Sequence, residues 1–243
     1  MASSMRISRL RSLPRASNRL YHSYEHPPGS GPFESTETAI LSASIPHIPS
    51  HGFTQTTLAL GAKHAGYLDV STNLFSEGAF DLVRFYLFTK QLELAQHRDI
   101  LQPEQRTSAG SKVQALTWER LLSNKAVIHR WQEALALMVK PANVSSSLRA
   151  LQRLSDEILF LSGDRSVDAS WYTKRASLST IYASTELFMT TDKSAGFRDT
   201  RAFLDRRFED SSKLGSMAGG LGRWVGFNAG AAVNILRSKG VRI

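Results

Sequence analysis

From Glu34 onward, apolar residues return every three or four positions, and runs alternating as a half-buried strand would are scarce. That period fits helices and little else, so the expected fold class is all-α. Ala39, Ile40, Ala43 and Ile45 open a first helix that stops between Pro46 and Gly52. Thr54 is placed to cap a second, which carries Leu58, Leu60, Ala62 and Ala65 and ends at Gly66. A short piece near 71–75 precedes a long helix over 77–101. Further helices are predicted over 112–123, 124–139, 145–161, 169–191 and 197–212, divided by Pro103 to Gly110, Pro141, Gly163 and Gly196.

Three short helices before longer ones, with Gly52-Phe53-Thr54 at the first junction, resemble the helix-turn-helix end of TetR-type regulators. The chemistry of DNA recognition is missing there. Residues 71–75, where base-reading side chains would stand, hold no Lys or Arg, and Asp69, Glu77 and Asp81 surround them. The net charge of +9 does not restore a nucleic-acid reading. Residues 1–24 and 211–243 carry five cations each and no acid, which leaves residues 25–210 with 20 basic and 21 acidic residues. Only the ends are basic, and no nucleic-acid partner is expected.

Each end has its own reading. Residues 1–21, with arginines spaced among Leu, Ile and Ser, have the composition of a mitochondrial presequence. Residues 22–33 form a Pro, Gly and Ser linker, and residues 34–212 form the helical domain. On a wheel, Leu214, Met217, Leu221, Trp224, Val225, Ile235 and Leu236 share an arc of about 140° with several alanines, while Arg223 and Arg237 lie opposite. Residues 213–238 therefore read as a membrane-binding amphipathic helix, followed by a basic tail, 239–243. The glycines Gly222, Gly226 and Gly230 repeat a spacing seen where membrane helices touch, but Arg223 near the middle of a span would cost about 3 kcal/mol. Packing on the domain or on a second copy is the other alternative.

No catalytic constellation is evident. The chain has no cysteine, which removes thiol nucleophiles and thiolate metal sites. His47 and His51 have the spacing of helical metal ligands, but Pro46 and Pro49 interrupt a helix there and no carboxylate completes a site. No metal, cofactor or enzymatic activity is expected. The richest stretch is the helix over 169–191, where Trp171, Arg175, Leu178, Tyr182, Glu186 and Met189 fall within about 80°. Facing solvent, that stripe would be a sticky partner surface. Facing inward, Arg175 would need an anion, either Glu186 about three turns on or a ligand headgroup.

At this stretch the chain is recognisable. Gly163-Asp164, Ser166, Asp168, Trp171-Tyr172, Arg175, Ile181-Tyr182 and Thr185-Glu186-Leu187 resemble the central motif of the mitochondrial ubiquinone biosynthesis accessory family, ninth in the numbered coenzyme Q series. Phe197, Thr200, Phe203-Leu204, Arg207, Pro141, Ser146-Ser147-Leu148 and His51-Gly52 support the resemblance, which runs from about residue 36 to 236. It implies a TetR-like helical bundle with a degenerate helix-turn-helix end, turned into a lipid carrier at the matrix face of the inner membrane. Phospholipids and polyprenyl quinone intermediates are the implied ligands, and the demethoxyubiquinone hydroxylase and its biosynthetic complex the implied partners. A homodimer is allowed. The resemblance makes Arg175 a headgroup contact and Trp171, with Asp168, Asp164, Leu161 and Ile158, the hydroxylase surface. Tyr172, Tyr182, Glu186, Phe188 and Met189 complete the expected lipid site. Phe85, Leu87, Leu137, Met138, Phe188 and Met189 are candidates to line a cavity for the isoprene units. Two alternatives of other kinds are a membrane-docked scaffold without lipid transfer and a ligand-responsive TetR-type regulator.

Overall fold

The computed structural model describes residues 32–96, 108–164 and 170–215, which apart from Pro32 lie within one compact unit, Phe33–Ile243. The presequence, most of the linker, Asp168 and the tail from residue 216 lie outside the described residues, as do the side chains of Trp171 and Leu214. Among the described residues there are nine α-helices and no strand: α1 (Ser35–Ser44), α2 (Ile48–His51), α3 (Gln55–His64), α4 (Ala79–Gln96), α5 (Ala109–Leu122), α6 (Trp131–Met138), α7 (Pro141–Leu161), α8 (Ser170–Met189) and α9 (Arg198–Gly215). The all-α expectation is met.

The helix starts follow local chemistry. A reciprocal box of Glu34 and Glu37 caps α1, and the Thr54 hydroxyl accepts the Thr57 N–H at the start of α3. The helices α1 and α3 approach closely at Gly61, where a Cβ would sit 1.8 Å from Ser44 Oγ. Two expected helices differ in their limits. Pro141, expected as a divider, is the first residue of α7, where its missing N–H costs nothing. The helix expected over 124–139 is broken into tight turns, a 3-10 turn Ile128–Arg130 and the short α6. Asn124 is wholly buried there, and its side chain is engaged with Arg120 and Glu186. The would-be recognition piece is a 3-10 turn, Asp69–Leu74.

The helices enclose two hydrophobic clusters. The first gathers Ile40, Leu41, Ile48, Phe53, Leu58, Phe80, Phe85, Tyr86 and Trp131 from α1 to α4 and α6. The second gathers Leu116, Leu121, Leu154, Ile158, Leu178, Ile181, Tyr182 and Leu204 from α5 and α7 to α9, with Leu94 of α4. The helix α4 runs from one cluster to the other, and Ile128 packs on both. Side-chain pairs fix the course of the long helices: Asp164 with Lys174 and Ser155 with Ser179 make α7 and α8 antiparallel. Phe188 stacked on Phe203 at 4.7 Å, with Ser177 hydrogen-bonded to Ser211, does the same for α8 and α9.

Candidate functional site

The stripe on α8 turns inward. Leu178, Tyr182, Glu186 and Met189 are all at least nine-tenths buried, whereas Tyr172 is 75% exposed and Arg175 is half-buried. Trp171 occupies the first turn of α8, and its side chain lies outside the described residues.

The two charges of the stripe find separate partners. Arg175 forms an ion pair with Asp156 of α7. Glu186 Oε1 accepts hydrogen bonds from Asn124 Nδ2 and from Tyr182 Oη, each at 2.9 Å. The Arg120 guanidinium lies 5.8 Å from the centre of the Tyr182 ring and donates to Asn124 Oδ1 at 2.9 Å. Of the two anions considered for Arg175, Glu186 and a ligand headgroup, the first is therefore corrected. Eleven positions along a helix are about 16 Å, beyond the reach of the two side chains, so each charge is answered from a neighbouring helix instead.

These groups form a polar layer between the two hydrophobic clusters. Arg120 is 1% exposed, Asn124 0% and Glu186 6%. Burial pushes the Glu186 carboxyl above its ordinary range, against the lowering effect of Arg120 and of hydrogen bonds from Tyr182, Trp131 and Asn124. The Trp131 indole N–H is turned to this carboxylate short of full hydrogen-bond geometry. Burial also raises Tyr182 well above its ordinary value and raises Tyr86, whose hydroxyl donates to the Ser123 carbonyl. Arg120, Asn124 and Trp131 were not anticipated from the sequence. The signal for Arg120 is its register: with Val113, Leu116, Thr117 and Leu121 it lies on the buried side of α5, where a cation demands an anion.

At the other end of the stripe, α7 closes on α8 through two ion pairs, Arg175 with Asp156 and Lys174 with Asp164. Of the expected partner-facing residues, Asp164 is half-buried in its pair, while Ile158 and Leu161 are buried in the second cluster at 0% and 8% exposure. A surface position for Ile158 and Leu161 is thus corrected, because both side chains belong to the second hydrophobic cluster, which α7 builds with α4, α5, α8 and α9. The expected cavity lining is divided. Phe85, Leu87, Leu137 and Met138 belong to the first cluster, Met189 to the second, and half-buried Phe188 stacks on Phe203.

His47 and His51 do not form a metal site. His47 packs edge-on against His64 at 5.6 Å, and no group of three or more metal-ligating side chains occurs among the described residues. No described helix is long and apolar enough to cross a membrane.

Fold and site together define a protein whose described residues are helical and hold two cores, with a buried acid, phenol and guanidinium joined through Asn124 in the interior. Sequence comparison gives that class a family. The COQ9 family profile matches residues 144–215, which run from α7 to the end of α9. The ubiquinone biosynthesis protein coq9, mitochondrial, of Schizosaccharomyces pombe is 35% identical over 225 residues, covering 92% of this chain and 88% of that protein. The Drosophila melanogaster COQ9 protein is 33% identical over 76% of this chain and 57% of its own length, and the Homo sapiens one 31% over 76% and 60%. All three carry names of mitochondrial ubiquinone biosynthesis proteins. The chain belongs to the COQ9 family.

Proposed function

We propose that this protein serves ubiquinone biosynthesis in mitochondria as a lipid-binding accessory without catalysis of its own. It binds polyprenyl quinone intermediates and phospholipid, and presents the quinone ring to the demethoxyubiquinone hydroxylase at the matrix face of the inner membrane. Family membership, at 35% identity over nearly the whole chain, is the observation that carries this reading. The residues supply the chemistry. Exposed Tyr172 stands one turn from Arg175, a half-buried guanidinium paired with Asp156, and a guanidinium is a group suited to a lipid phosphate. Tyr182, Phe188 and Met189 offer apolar surface further along α8, and Glu186, committed to Asn124 and Tyr182, acts as wall rather than headgroup ligand. Trp171, Asp168 and Asp164 form the hydroxylase contact, and Ile158 and Leu161, buried in the second cluster, contribute to it only as core of α7. The amphipathic tail, through Leu214, Met217, Leu221, Trp224, Val225, Ile235, Leu236, Arg223 and Arg237, holds the TetR-like domain at the membrane.

The test is mass spectrometry of lipids that copurify with residues 34–215, cut where α9 ends so that bulk membrane is not carried along. Stoichiometric phospholipid or polyprenyl intermediates, reduced in an Arg175→Ala protein of unchanged helical content, support the reading. An empty protein would favour the second reading, a membrane-docked scaffold of the biosynthetic complex. One observation favours that alternative: the buried charges Arg120 and Glu186 are already bridged by Asn124, and Glu186 also takes the Tyr182 hydroxyl.

A further inference from the structure

Between Glu133 and Asp156 the chain holds no acidic residue but three cations, Lys140, Arg149 and Arg153. All three are exposed, and none takes part in an ion pair among the described residues. Beside them stand three of the large apolar side chains the fold leaves uncovered: Val139 at 40% exposure, Val144 at 37% and Leu148 at 55%. Lys140, at the N-terminal boundary of α7, Val144 and Leu148 follow one another at four-residue spacing, and Arg149 and Arg153, one turn apart, form a cationic strip farther round the same exposed side of the helix. The α7 N-terminus opens at the same corner, with no side chain capping it at Lys140, and its dipole adds charge of the same sign.

This combination selects its partner. A protein surface complementary to the cations would have to bring its own acids, and a polyanion in water would gain nothing from Val139, Val144 and Leu148. An anionic bilayer offers both, phosphates for the cations and acyl chains for the apolar groups, and long basic stems reach back to the headgroups while their neighbours sink. We infer that the α6–α7 corner, Val139, Lys140, Val144, Leu148, Arg149 and Arg153, is a membrane-contact surface in its own right, separate from the tail. It lies at the far end of α7 from Leu161 and hence from the end of α9, since α7 to α9 alternate in direction. That is a distance of about 30 Å along a helix of this length. Two contacts so separated lay the long helices along the bilayer instead of standing them on it.

Because the full chain has no cysteine, single substitutions place a polarity-sensitive fluorophore at will. In the full chain, a label at Leu148→Cys should shift to the blue, and be quenched by lipid-borne quencher, on vesicles of phosphatidylcholine and cardiolipin but not of phosphatidylcholine alone. A label at Asn73→Cys on the exposed head turn should respond to neither. Arg149→Glu with Arg153→Glu should weaken cardiolipin-vesicle binding by at least tenfold, at about fivefold for each cation lost, with helical content unchanged. A tail label at Ser216→Cys separates this contact from the tail's. Response at Ser216 with silence at Leu148 overturns the corner contact and leaves the tail as anchor. Silence at both overturns membrane docking altogether. A Leu148 shift that grows with protein concentration, without vesicles, assigns the corner to a second copy and also overturns the proposal.

Discussion

Gly52 joins α2 to α3 with φ 69° and ψ −166°, a conformation side chains of L-residues avoid, and a Cβ there would lie 1.8 Å from Glu133 Oε2. The same carboxylate oxygen accepts the Phe53 N–H at 3.1 Å. Gly52→Ala therefore loses twice, in backbone strain and in the displaced Glu133, and should cost about 3 kcal/mol in urea denaturation. Glu133→Gln, which retains an acceptor, should cost less than half of that. Glu186 gives the corresponding test inside the polar layer. Glu186→Ala leaves Asn124 Nδ2 and the Tyr182 hydroxyl without their acceptor and Arg120 without its anion, and should cost about 3 kcal/mol. Glu186→Gln keeps an oxygen for both donors and should retain more stability. The sequence places Gly52 at a helix junction, and it places Arg175 and Glu186 on one face. Which partner each charge takes depends on α5 and α7, which are remote in the chain and carry no local mark of the pairing.

At the scale of elements, the start of α9 is held by an acid outside it. Asp192 accepts from the Ser194 N–H at 2.7 Å and from the N–H and hydroxyl of Thr200. Burial raises its carboxyl, but the hydrogen bonds from Thr200 and Ser194 outweigh that and hold it at about 2. A pKa below the free value of 3.8 means that the stabilisation is complete above about pH 4 and fades as the pH falls toward 2. Asp192→Asn should thus be less stable than the parent at pH 7 by about 1 kcal/mol, solvent screening limiting the gap, and the difference should close between pH 4 and pH 2. Denaturation curves of the two proteins across that range provide the check. Most elements were legible, because the apolar period, Thr54, Gly163 and Gly196 are local signals. The errors have local causes too. Pro141 starts a helix where a divider was expected, and Asn124 exchanges helical backbone for a buried side-chain role that only the folded neighbours reveal.

For the molecule as a whole, charge sits at the ends and the domain between is close to neutral. Residues 34–215 should not retard duplex DNA in a gel shift at physiological salt, and retardation would revive the regulator reading. The first three helices pack on α4 through the first cluster, and the end of α2 with the turn into α3 is fastened at a second place, the start of α6. Glu133 holds the Phe53 N–H, His129 Nε2 meets the Pro49 carbonyl at 2.9 Å, and Arg130 donates to the Ser50 carbonyl at 2.8 Å. Below them the rings of Phe53, Tyr86 and Trp131 pack with centroids 5.4 to 5.8 Å apart. Each of the three hydrogen bonds joins residues 80 positions apart. A chain delivered N-terminus first, from a ribosome or through a translocase, can cover one side of Phe53 with Tyr86 as soon as α4 arrives, but the Trp131 ring and the three hydrogen bonds of the joint wait until 80 residues have followed Pro49, Ser50 and Phe53. The interval before that joint closes is when the newborn protein most needs a chaperone, and slowing delivery of residues 54–133 should raise its losses to aggregation more than slowing any later stretch of equal length.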